Sequence, residues 1–160
     1  MGHAMRKWLE LAVCIAAVFA SALAGSLAMR LANGAWYDNL NKPSWTPPDW
    51  LFAPVWSVLY LLMGVSVWLV WGSKSAPGRG GAIAIFTVQL LLNAVWTGLF
   101  FLLQSPLAGL VDISLLWVAI LAAITAFSRI RPLAATLLLP YLLWVGFAWT
   151  LNLVIWRMNR

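Results

Sequence analysis

The stretch LAGLVDISLLWVAILAAITAFS, residues 107–128, carries a single ionisable side chain, Asp112. As a helix rising 1.5 Å per residue it would extend about 33 Å, enough to cross a hydrocarbon layer of ~30 Å. Unpaired backbone polar groups cannot be left in lipid, so such a run crosses as a helix. Four further runs, 8–31, 51–72, 82–103 and 133–156, have the same character. The expected fold is therefore an all-α integral membrane protein, a bundle of five transmembrane helices forming one membrane domain over 1–160.

Composition agrees. Of the 160 residues 64% are hydrophobic and 9% charged, which leaves too little polar surface to keep a soluble domain of this size in water. The net charge is +6, but the basic residues stand at the ends of apolar runs and form no stripe interleaved with aromatics. That distribution excludes a nucleic-acid footprint and fits anchoring to anionic lipid headgroups. Cys14 is the only cysteine and sits inside an apolar run, so it makes neither an internal disulfide nor a metal site. The opening Met-Gly-His-Ala-Met reads as an added tag ahead of Met5, and His3, the only histidine, is assigned no role. The first apolar run is long for a signal peptide and is read as a retained span.

Most connections are short: SKSAPGRGG (73–81), then tight reversals at 104–106 and 129–132. Short links place consecutive helices side by side and antiparallel. The exception is 32–50, which is rich in Trp, Pro and Asn. Trp36, Tyr37, Trp45 and Trp50 argue for order there, because aromatics seek burial or the headgroup zone, and Pro43, Pro47 and Pro48 fix φ. The segment is expected to be an ordered lid over one mouth of the bundle. Arg6, Lys7, Lys74, Arg79, Arg129 and Arg131 fall on one side of the membrane, and Arg30, Lys42, Arg157 and Arg160 on the other. The excess leans toward an inside amino terminus.

Polar groups at membrane depth are costly unless paired, so they are the first site candidates. Gln89 and Asn93 are four apart and share a helix face with Trp96 and Thr97. They serve equally well as interhelical hydrogen bonds or as ligand contacts. Asp112 is expected to be protonated, near the interface, or paired with an amide or Arg. Pro140 withholds the donor that the Thr136 carbonyl would receive, which predicts a kink. Below it Trp144, Ala148 and Asn152 make one row, and Trp56, Tyr60 and Met63 make another in the second span. Trp8, Trp71 and Trp156 stand at span ends as an interfacial belt. Ser21 with Gly25, Ala24 with Ala28, and Ala94 with Gly98 allow close helix approach, within the bundle or across a dimer.

No Ser/His/Asp set, paired carboxylates, metal-ligand cluster or phosphate-binding glycine loop is present. What remains is a space between helices lined by indoles, a phenol, prolines and a few amides. It suits a flat, largely apolar ligand that stacks on aromatic faces.

WYDNLNKPSWTPP (36–48), Trp56, QLLLNAVWTGLFF (89–101) and LPYLLW (139–144) together resemble the TspO/MBR family, the tryptophan-rich sensory and translocator proteins. The likeness covers essentially the whole membrane region and implies a bacterial member. It implies a five-helix bundle, usually a homodimer, in a bacterial inner or outer membrane. It also implies a pocket beneath the first loop that takes porphyrins such as protoporphyrin IX and haem, sterols in some members, and benzodiazepine-site ligands. The resemblance requires no cofactor, and porphyrin or haem enters as ligand. By position in the matching motifs, the pocket residues are Tyr37, Pro47, Trp56, Asn93, Trp144 and Ala148, to which the aromatic rows add Trp36, Trp45, Tyr60 and Trp96. Trp56 and Trp144 correspond to the indoles implicated in a proposed light- and oxygen-dependent porphyrin degradation. One departure discounts sterol binding: in LNLVIWR (151–157), Leu153 stands where sterol-binding members carry tyrosine.

Three functional classes follow. They are a receptor, sensor or transporter of tetrapyrroles, a porphyrin-degrading enzyme that uses Trp56 and Trp144, and a structural membrane scaffold. Binding by stacking asks for no redox chemistry and is the reading preferred from the residues.

Overall fold

A computed structural model describes residues 2–32 and 34–160, apart from the side chains of His3 and Ala4. The role denied to His3 and the one position 33 in the 32–50 segment therefore lie outside the described residues. Among those described, the helices are α1 (Gly2–Leu31), α2 (Gly34–Asp38), α3 (Asp49–Trp71), α4 (Arg79–Thr97), α5 (Pro106–Ser128), α6 (Pro132–Leu137) and α7 (Leu139–Met158). A π turn, Gly98–Leu102, extends α4. Five segments are long and apolar enough to span a bilayer: Met5–Leu31, Asp49–Trp71, Arg79–Leu102, Pro106–Ser128 and Pro132–Met158.

The reversals have local causes. Gln104 adopts φ 52°, and Gly78, at φ 77°, occupies the left-handed region just before α4, where a residue without Cβ is least strained. Ser105 caps α5 by accepting a hydrogen bond from the Ala108 amide at 3.2 Å, and Pro106 begins the helix where its missing N–H costs nothing.

Two helices depart from the regularity that the apolar runs predict. The third span ends in a π turn, closed by the Leu103 amide donating to the Gly98 carbonyl at 2.9 Å. The fifth span is broken at Leu138, close to the predicted kink, because Pro140 has no amide hydrogen to continue the ladder. There the Leu138 amide donates to Ala135 at 3.1 Å instead of reaching back to Ala134. The Ala134 carbonyl is taken by the buried Ser66 hydroxyl of α3 at 2.7 Å, so a side chain on another span satisfies the broken ladder.

The spans close into a ring: α1 packs on α3 and α4, α4 on α5, α5 on α6 and α7, and α6 returns to α3. Lipid tails are as apolar as leucine, so close packing and interhelical hydrogen bonds hold such a ring together. Gly64 shows how close the approach is, since a Cβ there would stand 2.8 Å from Ile15 Cγ1 and 3.0 Å from its Cα. Gly25 leaves similar room for Thr97, so this member of the small-residue pattern works inside the bundle, whereas Gly98 faces open space. At the centre are Met63, Ile120 and Tyr141, with Phe86 stacked on Phe127 at 5.6 Å.

Candidate functional site

Phe52, Trp56 and Tyr60 recur every fourth residue on α3 and so project from one face. Trp56 lies over Tyr60, with centroids 5.3 Å apart and planes 28° apart, and presents its edge to Tyr141 of α7 at 6.2 Å. One turn along α7, Trp144 meets Phe52 edge-on at 5.9 Å and Phe147 at 5.6 Å. The second and fifth spans are thus interlaced: Trp56 of α3 reaches the Tyr141 level, and Trp144 of α7 reaches the Phe52 level. Above them Trp45 of the first loop packs on Phe147 at 5.8 Å. Tyr60 extends the group to α1 by a tilted contact with Phe19 at 5.7 Å.

A second aromatic group forms at the π turn. Trp96 stacks on the buried Phe100 at 5.3 Å, and Trp36 and Tyr37 approach the same ring edge-on at 5.8 Å and 6.3 Å. Tyr37 also touches Phe101 at 5.3 Å. A π turn carries one extra residue per hydrogen-bonded loop, which rotates the helix surface and lets the adjacent Phe100 and Phe101 both meet the loop.

A polar thread crosses the aromatic interior. The Tyr60 hydroxyl donates to Asn93 Oδ1 at 3.0 Å, and Asn93 Nδ2 donates to the Tyr141 hydroxyl at 3.1 Å. Further along, Trp96 Nε1 donates to Asn152 Oδ1 at 3.2 Å, and Asn152 Nδ2 donates to the Pro106 carbonyl at 2.8 Å. Each bond joins different spans, and each polar atom lies where an unpaired one would be costly. Gln89 differs from this pattern. It is buried, yet neither side-chain polar atom has a hydrogen-bond partner among the described residues, and Asp112 Oδ2 is likewise unpartnered. The interhelical hydrogen bonds foreseen for this face are therefore made by Asn93 and not by Gln89.

The 32–50 segment is fastened at its base. Asn41 and Asn159, at the far end of the chain, exchange hydrogen bonds of 2.9 Å. Lys42 Nζ donates to the Tyr37 carbonyl at 2.9 Å and lies 4.2 Å from the Tyr37 ring centre. Burial, and then the nearby charges of Asp49 and Asp38, push the Tyr37 phenol above its ordinary value.

Of the residues singled out from sequence, Trp56, Tyr60 and Asn93 meet around Tyr141, Trp144 meets Phe52 one turn along α7, and Ala148 is half-buried against the core. Trp45 and the half-buried Pro47 belong to the loop above. Trp36, Tyr37 and Trp96 collect at the π turn as a separate group. Trp50, expected with the lid aromatics, is 72% exposed at the start of α3. Phe52, Tyr141, Phe147, Phe100 and Asn159 were not singled out, although Tyr141 and Phe100 fall inside the two span motifs that carry the resemblance. No group of three metal-ligating side chains occurs among the described residues.

The TspO/MBR family model matches residues 12–157, which takes in all five spans. The chain belongs to the TspO/MBR family. The tryptophan-rich protein TspO of Chlorobaculum tepidum is 46% identical over 157 residues, covering 96% of this chain and 98% of that one. The tryptophan-rich sensory protein of Cereibacter sphaeroides is 36% identical over 152 residues, 95% and 92% of the two chains. Human translocator protein is 41% identical over 127 residues, 78% and 75% of the two. With five span-capable helices, this TspO/MBR member is a multi-pass membrane protein of a family of membrane sensors and receptors.

Proposed function

We propose that this TspO/MBR protein is a membrane sensor or transporter that binds porphyrins, protoporphyrin IX or haem, and similar flat apolar molecules among Trp56, Tyr60, Asn93 and Trp144. The observation that carries the reading is the interlock of α3 and α7 through aromatic rings, with Trp56 on Tyr60 and Tyr141, and Trp144 on Phe52 and Phe147. Ring-to-ring contacts between helices are weak individually, about 0.5–1.5 kcal/mol beyond their area, and a large flat π-system can replace several at once. Burying that ligand returns about 25 cal/mol per Å² of apolar surface removed from water. The Tyr60–Asn93–Tyr141 thread supplies the few polar groups that orient such a molecule.

Access runs under the first loop, which must lift for a ligand to replace the contact of Trp45 with Phe147. The test is quenching of tryptophan fluorescence by protoporphyrin IX in detergent, in the dark. Saturable quenching in the micromolar range is expected, and quenching that never saturates contradicts the proposal.

Light-driven oxidation of the porphyrin by dioxygen is the second reading, favoured by the contact of the Trp56 indole with two phenols, Tyr60 and Tyr141. Illumination of the same sample discriminates. A new bilin-like absorbance that disappears in Trp56→Phe or Trp144→Phe favours an enzyme, and an unchanged porphyrin spectrum leaves binding alone.

A further inference from the structure

At the end of the bundle remote from the aromatic site, the structure opens a cavity of about 300 Å³. Its walls come from the first turns of α1 (Arg6, Lys7, Glu10), the last turns of α3 (Trp68, Leu69, Gly72), the following link (Lys74) and the approach to α6 (Arg131). Four basic side chains thus face one carboxylate. Glu10 is shared, with Arg6 Nε at 3.1 Å and Lys74 Nζ at 3.9 Å from the same Oε1. Arg131 Nε donates to the neutral Ser73 hydroxyl at 3.1 Å. Among the described residues neither Lys7 nor Arg131 has a carboxylate partner. Arg79 is nearby but committed elsewhere, donating to the Trp71 carbonyl at 2.8 Å and lying over the Trp71 ring.

We propose that this cavity holds the phosphate of an anionic phospholipid, with Lys7 and Arg131 as the groups that bind it. Like charges gathered from three separate segments repel one another, and a bound anion relieves that repulsion. Guanidinium and ammonium groups converging on one space are the donors that phosphate oxygens accept. The location selects a lipid over a soluble phosphate. The cavity lies at the ends of two spans, where headgroups lie, and Trp68 and Leu69 form an apolar wall on its membrane side along which an acyl chain can run. This end also carries the larger share of basic residues, so the lipid would be taken from the leaflet that faces the amino terminus.

The test is native mass spectrometry of the full chain released from nanodiscs of phosphatidylglycerol and phosphatidylcholine in equal amounts. Wild-type protein is expected to retain phosphatidylglycerol several-fold over phosphatidylcholine. The Lys7→Gln/Arg131→Gln pair is expected to lose that preference, while Arg157→Gln/Arg160→Gln, at the other end, keeps it. Helical melting followed by circular dichroism identifies folded variants. Should the pair fail to fold, Lys7→Gln alone, on the exposed side of α1, is expected to reduce the preference. Equal retention in wild type and a folded Lys7 or paired variant overturns the proposal, as does equal loss from the opposite end. A further arm adds inorganic phosphate in millimolar excess. Continued retention of phosphatidylglycerol supports the lipid, and its displacement would mean that the cavity takes the soluble ion instead.

Discussion

Asn41 and Asn159 stand 118 positions apart and hold each other by two hydrogen bonds, the Asn41 amide to Asn159 Oδ1 and Asn159 Nδ2 to the Asn41 carbonyl, both at 2.9 Å. Asn159 Nδ2 also reaches the Ile155 carbonyl at 2.8 Å, so its side chain is fixed to the last turn of α7 before it grips the loop. The lid of the aromatic site is thereby clamped to the carboxyl end of the chain. Asn159→Ala removes the clamp together with the bond to the Ile155 carbonyl at the end of α7. Backbone hydrogen exchange over residues 39–48 should quicken and porphyrin dissociation should accelerate, consistent with losing the two bonds that hold the loop, of about 0.5–1.5 kcal/mol each. The melting temperature of the bundle should move little.

Close packing of α1 on α3 gives a paired expectation. Gly64→Ala places a methyl group 2.8 Å from Ile15 Cγ1 and against the Ile15 backbone, which cannot move aside as a side-chain tip can. Overpacking of this kind costs about 1–3 kcal/mol. Gly98→Ala meets nothing within 4 Å and should fold with wild-type stability. Unfolding titrations in mixed detergent compare the two, and equal stability would show that the helices do not approach as described.

The Tyr60–Asn93–Tyr141 thread predicts non-additivity. Asn93→Leu leaves two hydroxyl groups without their partner at membrane depth and should destabilise the protein by about 1–2 kcal/mol. Adding Tyr60→Phe and Tyr141→Phe removes the orphaned hydroxyls, and the triple variant should recover most of that loss. Its porphyrin affinity should stay reduced, because the orienting groups are gone.

Tyr37 supplies an alkaline limit to the lid. Its phenol ionises above the ordinary value of 10.0, chiefly through burial and then through Asp49 and Asp38. A group whose folded value is raised contributes stability that is complete below the unfolded value and is lost as pH rises through the folded one. Lys42 lies over the Tyr37 ring, so the comparison is made against Tyr37→Phe, which keeps the lysine. Melting temperatures measured from about pH 9 to 12 should fall more steeply for wild type than for the variant.

Hydropathy and helical spacing made much of this arrangement legible beforehand. Residues 107–128 could cross a bilayer only as a helix, the four-residue interval between Gln89 and Asn93 put both inside, and Pro140 foretold the break in the last span. Such signals are local, since each depends on neighbours within a turn or two. The contacts that hold the bundle and its first loop together are not local. Ser66 finds Ala134, Trp96 finds Asn152, and Asn41 finds Asn159 only after the ring of helices has closed. The π turn is hidden for another reason: GLFFL is an ordinary apolar helix sequence, and its wider turn accompanies the meeting of Phe100 and Phe101 with Trp36 and Tyr37. The cations of the basic cavity come from three segments, none of which carries more than two adjacent ones.

We have proposed that a flat tetrapyrrole lodges between α3 and α7 beneath the first loop. A structure of the protein with protoporphyrin IX, prepared in the dark, tests it most directly. The macrocycle is expected within about 4 Å of both Trp56 and Trp144, with Trp45 displaced from Phe147. A macrocycle resting on the lipid-facing surface, with the contacts of Trp56 and Trp144 unchanged, would contradict it.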